Sequence, residues 1–210
     1  MKQQILNRIA KLGGDISQTT GQYLIDDLQK ITFKEVLHFK RPDEEPFYDF
    51  YDEFYDNNQS LLNNTEQFID KAINQYYVSA DDDETAVGQA FWQTQLFTPL
   101  TPNTPDYNEW SADFLDDDID LSQCLEVTGG KAPEFLIFIY SYGYPDHYFI
   151  CTNDINSDNP TVFGTDHEVY FEEITNKGSL LDFLNKFMTK QEARIYIQEF
   201  LDDVANGEVD

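Results

Sequence analysis

The longest strongly apolar run in the chain, Phe135-Leu136-Ile137-Phe138-Ile139-Tyr140, constrains the fold most. It is far short of the roughly 20 residues that cross a bilayer as a helix. An unbroken block of aromatic and branched side chains of this length reads as a buried strand. Such a strand needs partners. His147–Thr152 supplies one across the turn Tyr142-Gly143-Tyr144-Pro145-Asp146, and Thr161–Gly164 supplies a third short strand. Glu168-Val169-Tyr170-Phe171-Glu172-Glu173-Ile174 alternates in part, with Val169 and Phe171 on one face and Glu168, Tyr170 and Glu172 on the other. That pattern predicts a half-exposed strand with an acidic outer face.

Upstream the apolar period is helical. Ile5, Leu6, Ile9 and Leu12 predict a helix that Gly13-Gly14 ends, and Leu24, Ile25, Leu28 and Ile31 predict a second. Phe47, Phe50, Tyr51 and Phe54 line one side of a predicted helix over 45–56, with Asp49, Asp52, Glu53 and Asp56 on the other. A longer helix carries Leu62, Phe68, Ile69, Ala72, Ile73 and Tyr76, with Asn63 and Glu66 spaced as a capping box. After the charged break at 80–85, Ala86, Ala90, Phe91 and Phe97 continue the helical pattern, and Pro99, Pro102 and Pro105 mark a loop. Two helices close the chain, one capped by Ser179 and one opened by the capping box Thr189-Lys190-Gln191-Glu192. Helices, then an antiparallel sheet, then helices give an α+β fold. The expectation is one domain over 1–210, mainly helical over 1–105, with the sheet and two C-terminal helices in 106–210.

Charge narrows the partners. The 210 residues include 13 Lys+Arg and 40 Asp+Glu, a net −27, yet 40% are hydrophobic and 15% aromatic, ample for a packed interior. Residues 1–105 carry net −9 and residues 106–210 net −18. Phosphates and anionic lipids are bound mainly by Lys and Arg, so nucleic acid and membrane are excluded as expected partners and cations or basic proteins are favoured. The first residues, Met1-Lys2-Gln3-Gln4-Ile5-Leu6-Asn7-Arg8, hold no continuous apolar signal segment. Cys124 and Cys151 form no Cys-x-x-Cys pair and read as buried thiols in a reducing compartment. A cytoplasmic location is expected.

No spacing demands catalysis. An EF-hand loop starting at Asp116 would need Gly and Glu where Leu121 and Val127 stand, and one starting at Asp154 would end on Thr165. Asp154 and its neighbours to Asn159 suit a turn instead. His38, His147 and His167 lack a His-x-x-x-His spacing, and Asp166-His167-Glu168 continues to Phe171. His147 and Cys151 share a strand face but stand roughly 13 Å apart, too far to share a proton. There is no nucleophile elbow and no phosphate loop. Neither a metal nor another cofactor is called for, and a non-enzyme is expected.

The segment Pro160-Thr161-Val162-Phe163-Gly164-Thr165-Asp166-His167-Glu168, followed by Ser179-Leu180-Leu181-Asp182-Phe183-Leu184, resembles the SUKH superfamily. That superfamily contains yeast cell-wall-assembly regulators of the Smi/Knr type and bacterial toxin-immunity proteins. With the aromatic strand His147–Thr152, the resemblance covers roughly residues 134–188. It implies an α+β domain without catalytic machinery that binds other proteins, in bacteria a toxin domain. An acidic protein can occupy the basic surface by which a nuclease toxin holds nucleic acid. Asp113, Asp116, Asp117, Asp118 and Asp120, with Asp166, His167, Glu168, Glu172 and Glu173, are the candidate partner-binding residues. The competing readings are a regulatory scaffold that binds several cellular proteins and a carboxylate-dependent hydrolase.

Overall fold

A computed structural model describes residues 1–40, 53–79, 88–115, 119–142 and 145–207. The apolar run becomes β3 (Phe135–Ser141), inside a six-stranded antiparallel sheet whose spatial order follows the chain. Its other strands are β1 (Leu37–His38), β2 (Gln89–Phe97), β4 (His147–Cys151), β5 (Thr161–Thr165) and β6 (Thr175–Ser179). The helices are α1 (Lys2–Lys11), α2 (Leu24–Leu28), a stretch at 53–58 (α3), α4 (Thr65–Tyr76), α5 (Pro105–Trp110), α6 (Ser122–Val127), α7 (Leu180–Leu184) and α8 (Lys190–Asn206). Among the described residues no helix is long and apolar enough to cross a membrane.

Because side chains alternate across a pleat, the central strands feed two cores. Leu136, Phe138, Tyr148, Ile150 and Val162 pack on one face against Ile5, Leu6 and Ile9 of α1, Leu24 and Leu28 of α2, and Leu180, Phe183 and Leu184 of α7. Phe135, Ile137, Phe149, Cys151 and Phe163 face the other way, against Phe97, Phe114, Cys124 and Phe171. Each fully buried ring contributes on the order of 2–3 kcal/mol by leaving water. A third cluster joins Phe54 of α3, Phe68, Ile69, Ala72 and Ile73 of α4, and Ala193, Ile197 and Phe200 of α8. It is tied to the first core around β1. The Tyr77 hydroxyl donates to the Met188 carbonyl at 3.1 Å, and the Met188 N–H donates to the His38 carbonyl at 2.7 Å.

Helix ends follow the local sequence. Gly13 takes a φ of +100° just beyond α1, a conformation that costs glycine little. The Ser179 hydroxyl accepts from the Asp182 N–H at 3.3 Å, and Thr189 with Glu192 completes both halves of a capping box. Burial opposes ionisation of Glu192, but hydrogen bonds from Lys40 and from Thr189 bring its carboxyl down to about 2.

Several expectations are corrected. The helical pattern through Ala90, Phe91 and Phe97 is β2, a strand, because β3 needs a partner on that edge and tertiary pairing overrides a weak local pattern. A register shift between Trp92 and Gln95 breaks the period of two, so alternation is hidden. The expected strand at 168–174 is a series of turns in which Phe171 has a φ of +62°. Its N–H donates to the Thr165 hydroxyl at 2.8 Å and its ring fills the second core. The sixth strand is the polar Thr175–Ser179 instead. The α4 cap lies one residue later than expected, with the Asn64 side chain accepting from the Gln67 N–H. Cys124 sits on α6 and touches Cys151, whose thiol is pushed up by a hydrogen bond with Cys124 and by burial. Of the predicted 45–56 helix, residues 45–52 lie outside the described residues; at 53–56 Phe54 is buried and Glu53 and Asp56 are exposed, as the amphipathic pattern requires.

Candidate functional site

The hairpin β3–β4 and the register of β4 with β5 decide which polar groups meet. Ser141 donates its N–H to the Asp146 carbonyl at 2.7 Å, and His147 pairs with Thr165. Gly164 allows this approach, since a Cβ there would stand 2.6 Å from Cγ of Pro145. Asp146 and His147 at the start of β4 therefore lie beside Asp166 and His167 at the end of β5.

Asp146 is the centre of the group and is only 9% exposed. Its Oδ1 lies 3.0 Å from Nδ1 of His147, and its Oδ2 is hydrogen-bonded to Nδ1 of His167. Asp166 Oδ1 accepts from the Glu168 N–H at 2.7 Å and stands 3.6 Å from the same His167 nitrogen. The hydrogen bond to Asp146 and that residue's charge raise the proton affinity of His167, whose ring is otherwise exposed. One donor atom from each of Asp146, Asp166 and His167 falls within a 4.8 Å span. His147 is half-buried, with its ring 5.4 Å from Tyr140 and 5.8 Å from Tyr170.

An aromatic row borders the cluster. Phe91 on β2 meets the rings of Tyr140 at 6.2 Å and Tyr142 at 5.7 Å, and the two tyrosines are 38% and 40% exposed. Tyr140 pairs with both Phe91 and His147, so these side chains lie on the sheet face that carries the second core. Tyr170 closes the row inward, its ring tilted against Trp110 and Phe97, and burial with the charge of Asp106 pushes its hydroxyl up to about 12.

Acidic side chains ring this face. Asp166, His167 and Glu168 begin the connection after β5, and Glu172 and Glu173 follow the buried Phe171 as exposed residues of the same connection. Asp113 is exposed beside Phe114, which packs 5.0 Å from Phe171. Asp120 is exposed and accepts from the Ser122 N–H at 2.9 Å, which lowers its proton affinity. Asp116, Asp117 and Asp118 lie outside the described residues. Asp154 caps its own turn, accepting from the N–H groups of Asn156 and Thr161.

The described residues of the segments that cover the second face, 98–134 and 166–174, include ten acidic residues and a single base, Lys131. The segments that cover the first face, 1–40 and 175–190, contain nine of the thirteen bases and five acids. Of the candidate partner-binding residues the structure brings Asp166 and His167 together, and it adds Asp146, His147 and the aromatic row, which the charge pattern alone does not single out. The sequence marks both strands, 147–152 and 161–164, while their pairing, His147 with Thr165, comes from the structure. Carrying that register one residue outward brings Asp146 beside Asp166.

Comparison with protein-family models, curated proteins and solved structures found no match.

Proposed function

We propose that this chain is a protein-binding domain of the SUKH type whose acidic side docks a basic protein, in a bacterial setting a toxin that it neutralises. The separation of charge across the sheet carries this reading: among the described residues, ten acids and one base over the second face, against nine bases and five acids over the first. A field of one sign steers an oppositely charged partner and orients it before contact. The row Phe91, Tyr140 and Tyr142, which reaches the Asp146 cluster through His147, offers what an arginine side chain uses, an aromatic face and a carboxylate together. Binding of this kind needs no reacting group. The toxin as partner is supported by the resemblance over residues 134–188.

The test is co-expression with the product of the adjacent gene, scored by growth and by isolation of a complex. Protection and a complex are expected, with an association rate that falls steeply with salt. A variant carrying Asp166→Asn, Glu168→Gln, Glu172→Gln and Glu173→Gln is expected to associate at least about tenfold more slowly. Neutralising Lys2, Lys11 and Lys30 on the opposite cover is expected not to slow association. No protection with no complex, or equal effects of the two sets of changes, overturns the proposal.

A further inference from the structure

We propose that Asp146, Asp166 and His167 bind a divalent transition-metal ion of the zinc type. The inference does not depend on partner docking, although it uses Asp166 and His167 of that same surface, and it rests on three features of the cluster.

The donors come first. An imidazole nitrogen and two carboxylate oxygens within 4.8 Å of one another match the mixed nitrogen and oxygen set that zinc accepts, with bonds of about 2.0–2.2 Å and donors roughly 3.4 Å apart around a tetrahedral ion. The histidine nitrogen disfavours calcium and magnesium, which take oxygen. The three residues sit at adjoining ends of paired strands, held by the His147 to Thr165 pairing, so little backbone has to move to complete the shell.

The second feature is a buried charge without a fixed cation. Asp146 is nine-tenths buried, and among the described residues no lysine or arginine pairs with it; both oxygens face imidazoles. A buried carboxylate requires compensation. A divalent ion held by Asp146 and Asp166 makes the three charges sum to zero, and His167 changes from hydrogen-bond donor to ligand through the same Nδ1.

The third is support from outside the shell. Nδ1 of His147 holds the other oxygen of Asp146 at 3.0 Å, fixing the carboxylate plane as outer partners of metal ligands do. The exposed side of His167 leaves the fourth position to water.

Calorimetry on the chelator-treated full chain tests this, with zinc titrated against a millimolar magnesium background that occupies the diffuse acidic surface. One ion per chain with micromolar affinity is expected. Affinity should fall at least about tenfold in Asp146→Asn and in His167→Gln and stay unchanged in Glu199→Gln, an exposed residue of α8. X-ray absorption of the zinc-loaded wild-type protein needs no variant and should show nitrogen and oxygen neighbours with one imidazole. Absence of zinc binding above the magnesium background, equal binding by the His167→Gln protein when its circular dichroism is native, or a zinc shell without imidazole overturns the site.

Discussion

His38 is 5% exposed, stacked on Tyr76 at 3.8 Å, and its Nε2 lies 2.8 Å from the Tyr76 carbonyl. That carbonyl accepts from a neutral ring, and burial lowers the ring's proton affinity to about 4. An unfolded histidine protonates near about 6.5, so between these values the unfolded chain binds the extra proton. Stability supplied by neutral His38 is whole above pH 6.5 and drains away as pH falls towards 4, by roughly 3 kcal/mol. The thermal midpoint of the wild type is expected to drop more over this range than that of His38→Gln, and an NMR titration should find the ring neutral at pH 5. A ring that titrates near its free value sinks the prediction. His167 has the opposite sign: its raised affinity stabilises the fold at low pH, and that contribution is lost as pH rises through its folded value. Phe171 shows how much one side chain can organise. Its ring lies 4.7 Å from Phe149 and 4.9 Å from Phe135, so Phe171→Ala should cost about 3–5 kcal/mol in denaturant unfolding. The same variant should loosen the 166–174 connection, visible as faster amide exchange there. A loss below 1 kcal/mol would mean that the ring does not anchor that connection.

At the scale of elements, the first turn of α8 is a junction as well as a cap. Glu192 accepts from the Thr189 N–H at 2.8 Å and from its hydroxyl at 2.9 Å, and it pairs with Lys40 at 2.6 Å. Thr189→Ala should therefore cost about 1 kcal/mol, and Glu192→Ala more, because Lys40 and Thr189 both lose a partner. Equal losses in chemical denaturation would show that the tie to Lys40 contributes nothing. The same capping signal explains what could be read without coordinates. Gly13, Ser179 and Thr189 announce element ends through interactions within a few residues, and β3, β4 and β5 announce themselves through apolar side chains. Strand β2 was illegible because its identity depends on pairing with β3 some 45 residues later and because its register shift erases alternation. Strand β6, Thr-Asn-Lys-Gly-Ser, has no apolar side chain to pattern. The turns at 168–174 mimic a strand because Val169 and Phe171 stand two apart, while the φ of Phe171 is set by the core below. Asp166-His167-Glu168 could be singled out locally, but Asp146 joins them only through strand register.

Over the whole molecule, the sheet separates an acidic cover from a basic one. The described residues of 98–134 and 166–174 hold a quarter of the chain's 40 acids, so like charges crowd one side and repel. Raising sodium chloride from low to physiological ionic strength should increase the melting temperature, because exposed charges more than about 10 Å apart become screened. A midpoint that falls with salt would show that attractive pairs such as Arg194 with Glu66 and Lys190 with Glu35 outweigh the repulsion. The two margins of the sheet differ from its faces. One is β1, only two residues long, and the other is β6, where the Asn176 side chain accepts from the Gly178 N–H at 2.8 Å and Lys186 donates to the Lys177 carbonyl at 3.0 Å. The carbonyl and the N–H of the Lys177–Gly178 peptide are thus engaged by side chains of this chain, which blunts that stretch of the edge. At this peptide a second molecule arriving edge-on finds its hydrogen-bonding partners already taken, which weakens edge-to-edge stacking of one copy on another.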